Sequence, residues 1–403
     1  MRRAALFICL LAATVATGTA HAAEPEIETV VAGADFPTNM TFGPSGSLYY
    51  TEKNTGLVRE VDDHGELLDE PVARFDVTSD GETGLLGIAS YEDWLYVYLS
   101  DAQTQTNRIV RFSTDDPSAP EDVAELLPTT AGYHNGGDLA IGPDGMLYAT
   151  VGEMHEPDLA QDPDSLGGKI VRLTPEGEVP AGAPFGDDNP AWSMGHRNSF
   201  GICFDFESGL LYETENGPDA HDEVNVIDKG GNYGWPDVMG PGGEPEFIDP
   251  LVDFPDIVAP TGCSVWGHTL WFGDFTGNLY RLPLPAEAPA TPEVVAQLPG
   301  GITDVARGPG DALYIATQDG IYRLAVAPPA GRTASAAPSP VPSPEPTGKR
   351  TLSMPAVVAS VLALLLVLAG GWWFARIRTR EEAEGDAEEA AEAGGEDPSR
   401  PDA

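Results

Sequence analysis

The chain has 403 residues, with 64 acidic and 21 basic side chains and a formal net charge of −43. About ten of the acids follow Arg380, so the main body is itself strongly acidic. That excludes nucleic-acid binding, which needs a basic footprint, and suits solubility, cation binding or a saline habitat.

In chain order, residues 1–22 come first. Arg2 and Arg3 precede an apolar run from Ala4 to Val15, and Ala20-His21-Ala22 offers a small-residue cleavage site. This is the pattern of a secretory signal peptide, too short for a stable membrane span. The exported body is expected over residues 24–327, roughly 300 residues and ample for a large core. Cys9 leaves with the signal, while Cys203 and Cys263 enter an oxidising compartment. They could pair there, although both sit in apolar strand-like contexts that also suit buried thiols.

A phrase recurs along the body: an apolar strand, a Gly/Pro/Asp turn, an aromatic-rich strand, then a third strand. Its copies begin at Thr41, Gly87, Leu139, Phe200, Gly262 and Asp304. The third strands are Leu57–Val61, Arg108–Phe112, Lys169–Leu173, Glu223–Ile227, Asn278–Leu282 and Gly320–Leu324. Period-two apolar alternation between turn residues predicts hairpins. Six copies about 40 to 60 residues apart predict an all-β, six-bladed β-propeller. The segment Glu26–Ala32 is expected to complete the last blade and close the ring. A pair of β-sandwiches or an open solenoid fits the regular phrase and its long loops less well.

Residues 328–353 form a Pro/Ala/Ser-rich linker, expected to be extended. Residues 354–375 are uncharged and apolar, long enough to cross a hydrocarbon core of about 30 Å as a single transmembrane helix. Trp372 and Trp373 lie at its far end, followed by Arg376, Arg378 and Arg380. Residues 376–403 form an acidic, Ala-rich tail. With a cleaved signal, the expected arrangement is a single-pass cell-membrane protein, its propeller extracytoplasmic and its C-terminus cytoplasmic.

Propeller loops on one face converge on the central channel, so residues far apart in sequence can share a pocket. Three loops stand out for polar density: Asp80–Gly84, Tyr133–Asp138, and the stretch Gly195–Pro236. His134 suits a general base at neutral pH, although a lone histidine there is more often structural or merely exposed. Arg197 offers a planar fork for a carboxylate or phosphate, or a partner for one of many acids. Glu215, Asp219, Asp222 and Glu223 form an oxygen-rich group broken by Gly217 and Pro218, suited to calcium or to solvent. No G-x-S-x-G, G-x-G-x-x-G, H-E-x-x-H or C-x-x-C motif is present.

The stretch G-H-R-N-S-F-G…E-N-G-P-D…D-E-V-N-V-I…G-G-N-Y-G-W-P resembles the quinoprotein glucose/sorbosone dehydrogenases, or soluble aldose sugar dehydrogenases. So do G-E-T-G-L-L-G-I-A from Gly81, H-N-G-G-D-L-A-I-G-P-D-G from His134, G-G-K-I-V-R-L from Gly167 and I-T-D-V-A-R-G-P-G-D-A-L-Y from Ile302. The resemblance covers the whole body and implies a six-bladed propeller carrying pyrroloquinoline quinone (PQQ) and calcium. It implies that His134 takes the proton of a sugar C1 hydroxyl while hydride passes to the quinone. Arg197 and Asn198 match a pair at the quinone, and Glu82 a position lining the pocket. The carbonyls of Gly217 and Pro218 match the calcium cradle, and Glu223 and Tyr233 a second calcium site of some members.

The chain departs from the pattern in its late blades. Where an R-x-R-D-V phrase supplies arginines to the PQQ carboxylates, this sequence reads Gly301-Ile302-Thr303-Asp304-Val305. Phe275 stands where some members carry a lysine, and Asp256–Leu284 is shorter than usual. Lys169, Lys229 and Arg307 are the basic residues that could compensate. The expected function is an extracytoplasmic, membrane-anchored PQQ- and calcium-dependent aldose oxidoreductase, with an unknown electron acceptor. Alternatives are a non-catalytic propeller binding a glycan or protein ligand, and a calcium-using hydrolase or lyase.

Overall fold

The computed structural model describes residues 27–325, apart from 130, 131 and 311. The expected signal peptide, linker, transmembrane helix and acidic tail lie outside the described residues. Among the described residues no helix is long and apolar enough to cross a membrane.

Among the described residues twenty-four strands form six four-stranded antiparallel sheets. Each of the first five sheets is built outward from one inner strand by consecutive hairpins. The inner strands are Pro37–Phe42, Leu85–Tyr91, Gly136–Ile141, Ser199–Phe204, Pro260–Val265 and Ile302–Gly308. Each touches the next, and the last touches the first, so they surround a central axis. Ile27–Ala32 pairs with Gly320–Ala325, Ile27 opposite Leu324 and Ala32 opposite Gly320. The N-terminal strand thus closes the ring in the sixth blade, as the repeats predict.

Apolar side chains fill the space between blades. Between blades 2 and 3, Tyr96, Tyr98 and Ile109 pack with Leu147, Ala149 and Val171, all fully buried. A blade inside the ring buries both of its faces, so its second strand is buried along its length, as in Leu147–Val151 and Leu211–Glu215, whatever the polarity of its residues. Cys203 and Cys263 form a disulfide between the inner strands of blades 4 and 5, the first of the two alternatives for these residues.

Every inner strand slips register against its neighbour, at Pro37/Met40, Leu85/Ile88, Gly136/Leu139, Ser199/Gly201, Pro260/Cys263 and Ile302/Asp304. A bulge frees a backbone N–H from the ladder. At or beside these bulges stand Asn39, Gly87, Asp138, Gly201, Gly262 and Asp304. Asn39 Oδ1 accepts the Ile88 N–H of the next blade at 2.9 Å, and Asp138 Oδ2 accepts that of Ile202 at 2.7 Å. Asp304 Oδ2 closes the circle on Met40 N–H at 2.8 Å. The glycines make room: a Cβ on Gly262 would lie 2.1 Å from Asp304 Oδ1. Burial pushes the Asp138 carboxyl up to about 7, against the hydrogen bonds of Ile202, Leu139 and Asn39. Asp304 is raised by burial and by Asp138.

Candidate active site

The loops entering the inner strands share one face of the ring, as do the turns leaving the second strands. Glu82, His134, Arg197 and Asn198 lie on entry loops of blades 2, 3 and 4, and Gly217 and Pro218 on a second-strand turn of blade 4. The sequence-predicted residues therefore occupy one mouth of the channel.

His134 takes a left-handed backbone, φ 55°. Its N–H donates to Glu82 Oε2 at 2.7 Å, and the same oxygen accepts Asn198 Nδ2 at 3.0 Å. Asn198 Oδ1 in turn accepts the Gly136 N–H at 3.3 Å. One carboxylate thus links three blades. The His134 Nδ1 lies 2.5 Å from Glu153 Oε1. A carboxylate at Nδ1 keeps the proton there and leaves Nε2 with its lone pair, the tautomer of a general base. Glu153 is 1% exposed and its Oε2 has no partner among the described residues. Its charge is therefore available to an imidazolium formed at His134. Gly152 permits the arrangement: a Cβ there would lie 2.0 Å from the His134 carbonyl oxygen. His155, which is exposed, has its ring centroid 4.1 Å from that of His134.

Arg197 stands beside this group. Its Nη1 donates to the carbonyls of Asn216 at 2.9 Å and Gly217 at 3.0 Å, and the guanidinium lies 5.4 Å over the Trp235 ring. Glu153 N–H donates to the Arg197 carbonyl at 3.0 Å, tying the base support to the arginine loop. Beneath it, His196 is fully buried against Glu213 at 3.0 Å and Glu215 at 3.3 Å, and stacks on Tyr233 at 4.8 Å. Burial alone would lower the His196 pKa; the two glutamates outweigh it and raise it to about 10. Glu215 also accepts the Arg197 N–H, so the charged pair fixes the backbone that presents the arginine.

The oxygen-rich group read from the sequence separates into different roles. Asp222 accepts the N–H groups of Gly217, Val258 and Ala259. Glu223 accepts Gly240 N–H at 2.6 Å and Asn225 Nδ2 at 3.2 Å, and burial with Glu215 raises it to about 8. Tyr233 Oη donates to the Val226 carbonyl at 2.6 Å. The Gly217 carbonyl faces Arg197, and its second lone pair remains available to a cation beside Pro218, which is exposed.

None of the three proposed compensating cations serves the mouth. Lys169 is fully buried, its Nζ held by the carbonyls of Leu159 at 2.8 Å, Ala160 at 3.0 Å and Gly167 at 2.7 Å. Lys229 follows the third strand of blade 4 and Arg307 ends an inner strand, both at the opposite face. Sequence reasoning missed Glu153 and Lys53. A glutamate just after a second strand, as in Val151-Gly152-Glu153, was the available signal for the first. Lys53, which follows the second strand of blade 1 at the position Gly152 holds in blade 3, had none.

The sequence profile of the Glucose / Sorbosone dehydrogenase family matches residues 34–324, nearly the whole described body. The chain belongs to the glucose/sorbosone dehydrogenase family. It is 31% identical to the aldose sugar dehydrogenase YliI of Escherichia coli over 254 residues, 59% of this chain and 68% of that one. With quinoprotein glucose dehydrogenase B of Acinetobacter calcoaceticus it shares 30% identity over 251 residues, about half the length of that enzyme (52% of each chain). The PQQ-bound aldose sugar dehydrogenase of Streptomyces coelicolor superposes with a TM-score of 0.68 at 33% identity, covering 75% of this chain and 99% of that one. A glucose dehydrogenase-like oxidoreductase of Thermus thermophilus gives 0.69 at 35% identity, covering 74% and 99%. In this family member the polar blades 2 to 4 of the mouth lie within the matched region.

Proposed function

We propose that the protein oxidises an aldose-type sugar at C1 with PQQ and calcium, using the channel mouth as its active site. The observation that carries the reading is the Glu153–His134 pair, 2.5 Å apart, with Nε2 turned to base duty. The donor set fits the quinone end of such a cofactor: Arg197 and Asn198 supply donors where negative charge develops, in a site of low dielectric. PQQ, when bound, supplies the two-electron acceptor for the hydride leaving C1. His134 Nε2 takes the C1 hydroxyl proton and Glu153 stabilises the resulting imidazolium. Calcium would be held by the carbonyls of Gly217 and Pro218; the Gly217 lone pair not used by Arg197 supports this. Glu223 and Tyr233 remain the proposed second calcium position, through the remaining lone pairs of the Glu223 carboxylate, whose two oxygens already accept Gly240 N–H and Asn225 Nδ2, and through the Tyr233 carbonyl.

Export and anchoring rest on the residue patterns of 1–22 and 354–375, with the acidic tail inside. Membrane fractionation of the expressed full chain, before and after deletion of 354–403, tests this: retention in the membrane after deletion overturns it.

A second reading, a binding propeller for a glycan or protein ligand, is favoured by Phe275 and Gly301 at positions where cations would be expected. Purified protein, PQQ, calcium and a panel of aldoses in a dye-reduction assay separate the two. Dye reduction is expected for the dehydrogenase; absence of both PQQ uptake and reduction leaves the binding propeller.

A further inference from the structure

Among the described residues two lysines are nearly or fully buried, and they are treated differently. Burying an ammonium costs several kcal/mol unless partners replace its water. Lys169 has three backbone carbonyls around Nζ. Lys53, 8% exposed, has one hydrogen bond from Nζ, to the Ser79 carbonyl at 3.1 Å, and the face of Phe36 at 5.6 Å. Glu82 and Asp80 act on it through space, and burial lowers its pKa in spite of them. An incompletely paired buried cation is expected where an anionic ligand completes the pairing.

Its position agrees. Lys53 follows the second strand of blade 1, on the mouth side, and its N–H donates to the Phe36 carbonyl at 3.0 Å. Its stem crosses Gly84 of blade 2, where a Cβ would lie 2.6 Å from the lysine Cγ. Nζ thereby reaches the loop that carries Glu82, which binds His134 and Asn198. On the other side Phe36 meets Phe275 of blade 5, centroids 6.3 Å apart. Blade 6 lies between them in the ring, but its entry loop presents Gly300 and Gly301, which have no side chains to intervene. The two rings, tilted 41° to each other, and the ammonium over the Phe36 face stand together on the mouth side of blades 5 and 1. Aromatic rings beside one ammonium suit an aromatic molecule carrying a carboxylate.

We propose that Lys53, with Phe36 and Phe275, forms the carboxylate-binding end of the PQQ site, taking the place of the cations missing from blades 5 and 6. This rests on the reading of the site as a quinone site. Affinity for PQQ, and for its trimethyl ester, is measured by quenching of tryptophan fluorescence with calcium present. The proteins are the wild type, Lys53→Met, which keeps the stem on Gly84, and Lys53→Arg. A charge-assisted hydrogen bond at this strength predicts a loss of about 10- to 100-fold in PQQ affinity for Lys53→Met. Lys53→Arg should stay within a few-fold of wild type. The ester should bind wild type more weakly than PQQ and be indifferent to Lys53→Met. Unchanged PQQ affinity in Lys53→Met, or an equal loss for the ester, overturns the assignment while leaving the quinone site intact. Equal affinity of wild type for acid and ester overturns it without any variant. A wild type that takes up no PQQ overturns this proposal together with the reading beneath it.

Discussion

Blades 2 to 4 and blades 5 to 1 reach the channel mouth in opposite ways. The first group brings Glu82, His134, Glu153, Arg197 and Asn198 into one hydrogen-bonded set. The second brings Phe275, two glycines, Phe36 and a single lysine. Both stand on the same ring of bulged inner strands, so the scaffold does not cause the difference; the loops do. A reaction needs charge placed to a fraction of an ångström, and side chains that fix each other provide it. A binding wall needs shape and one charge. The asymmetry reads as chemistry on one side and cofactor retention on the other.

Several changes would break or sharpen this division. The largest effect is expected from His134→Ala, which removes the base: dye reduction should fall by about a hundredfold to ten-thousandfold with PQQ affinity little changed. An unaltered rate would remove the chemistry from blade 3. Glu153→Gln keeps the shape and removes the charge behind His134. Its rate should drop by about a hundredfold with PQQ affinity unchanged, because the imidazolium formed in the reaction loses its counter-charge. A wild-type rate would make Glu153 merely structural.

Stability probes the shared scaffold. Removing the Cys203–Cys263 bridge, which spans 60 residues, should cost about 4 kcal/mol in the chain-entropy picture. Denaturant midpoints of the double serine variant measure it. Gly262→Ala places a methyl against Asp304 and should cost about 1–3 kcal/mol by overpacking, with both halves of the mouth affected alike.

The smallest effect concerns pH. Burial raises Asp138 to about 7, and raises Asp304 as well. A carboxyl whose folded pKa exceeds its unfolded value binds more protons when folded. Its contribution is therefore full below the unfolded value and is lost as pH rises toward 7. The protein should melt higher at pH 5 than at pH 7.5, and Asp304→Asn should flatten that slope. A slope of wild-type steepness in the variant would assign it to other groups.

Much of this was legible in the residues. The alternation and the spaced turn phrases specify six hairpin units, and closure by Ile27–Ala32 follows from one N-terminal strand left over beside a last blade of three. His134, Arg197, Asn198 and Glu82 were legible because they lie in polar loops entering inner strands. Glu153 and Lys53 were not, because each looks like an ordinary charged residue after a strand. Their meaning comes from glycines in other segments, Gly152 and Gly84, that let backbone and stem pass closely. The oxygen-rich group at Glu215–Glu223 divides its roles for a related reason: sequence proximity on a strand sends alternate side chains to opposite faces. Asp222 thus caps backbone amides while Glu223 turns inward.

The sequence by itself determined the fold, the family and the identity of the polar loops, because periodicity and turn chemistry are local. Only the tertiary structure decided that Cys203 and Cys263 are joined, that Lys169 is sealed by carbonyls, and that Lys53 is the basic group left at the apolar side of the mouth. Those outcomes depend on which segments a closed ring brings together, and closure is a property of all six blades at once.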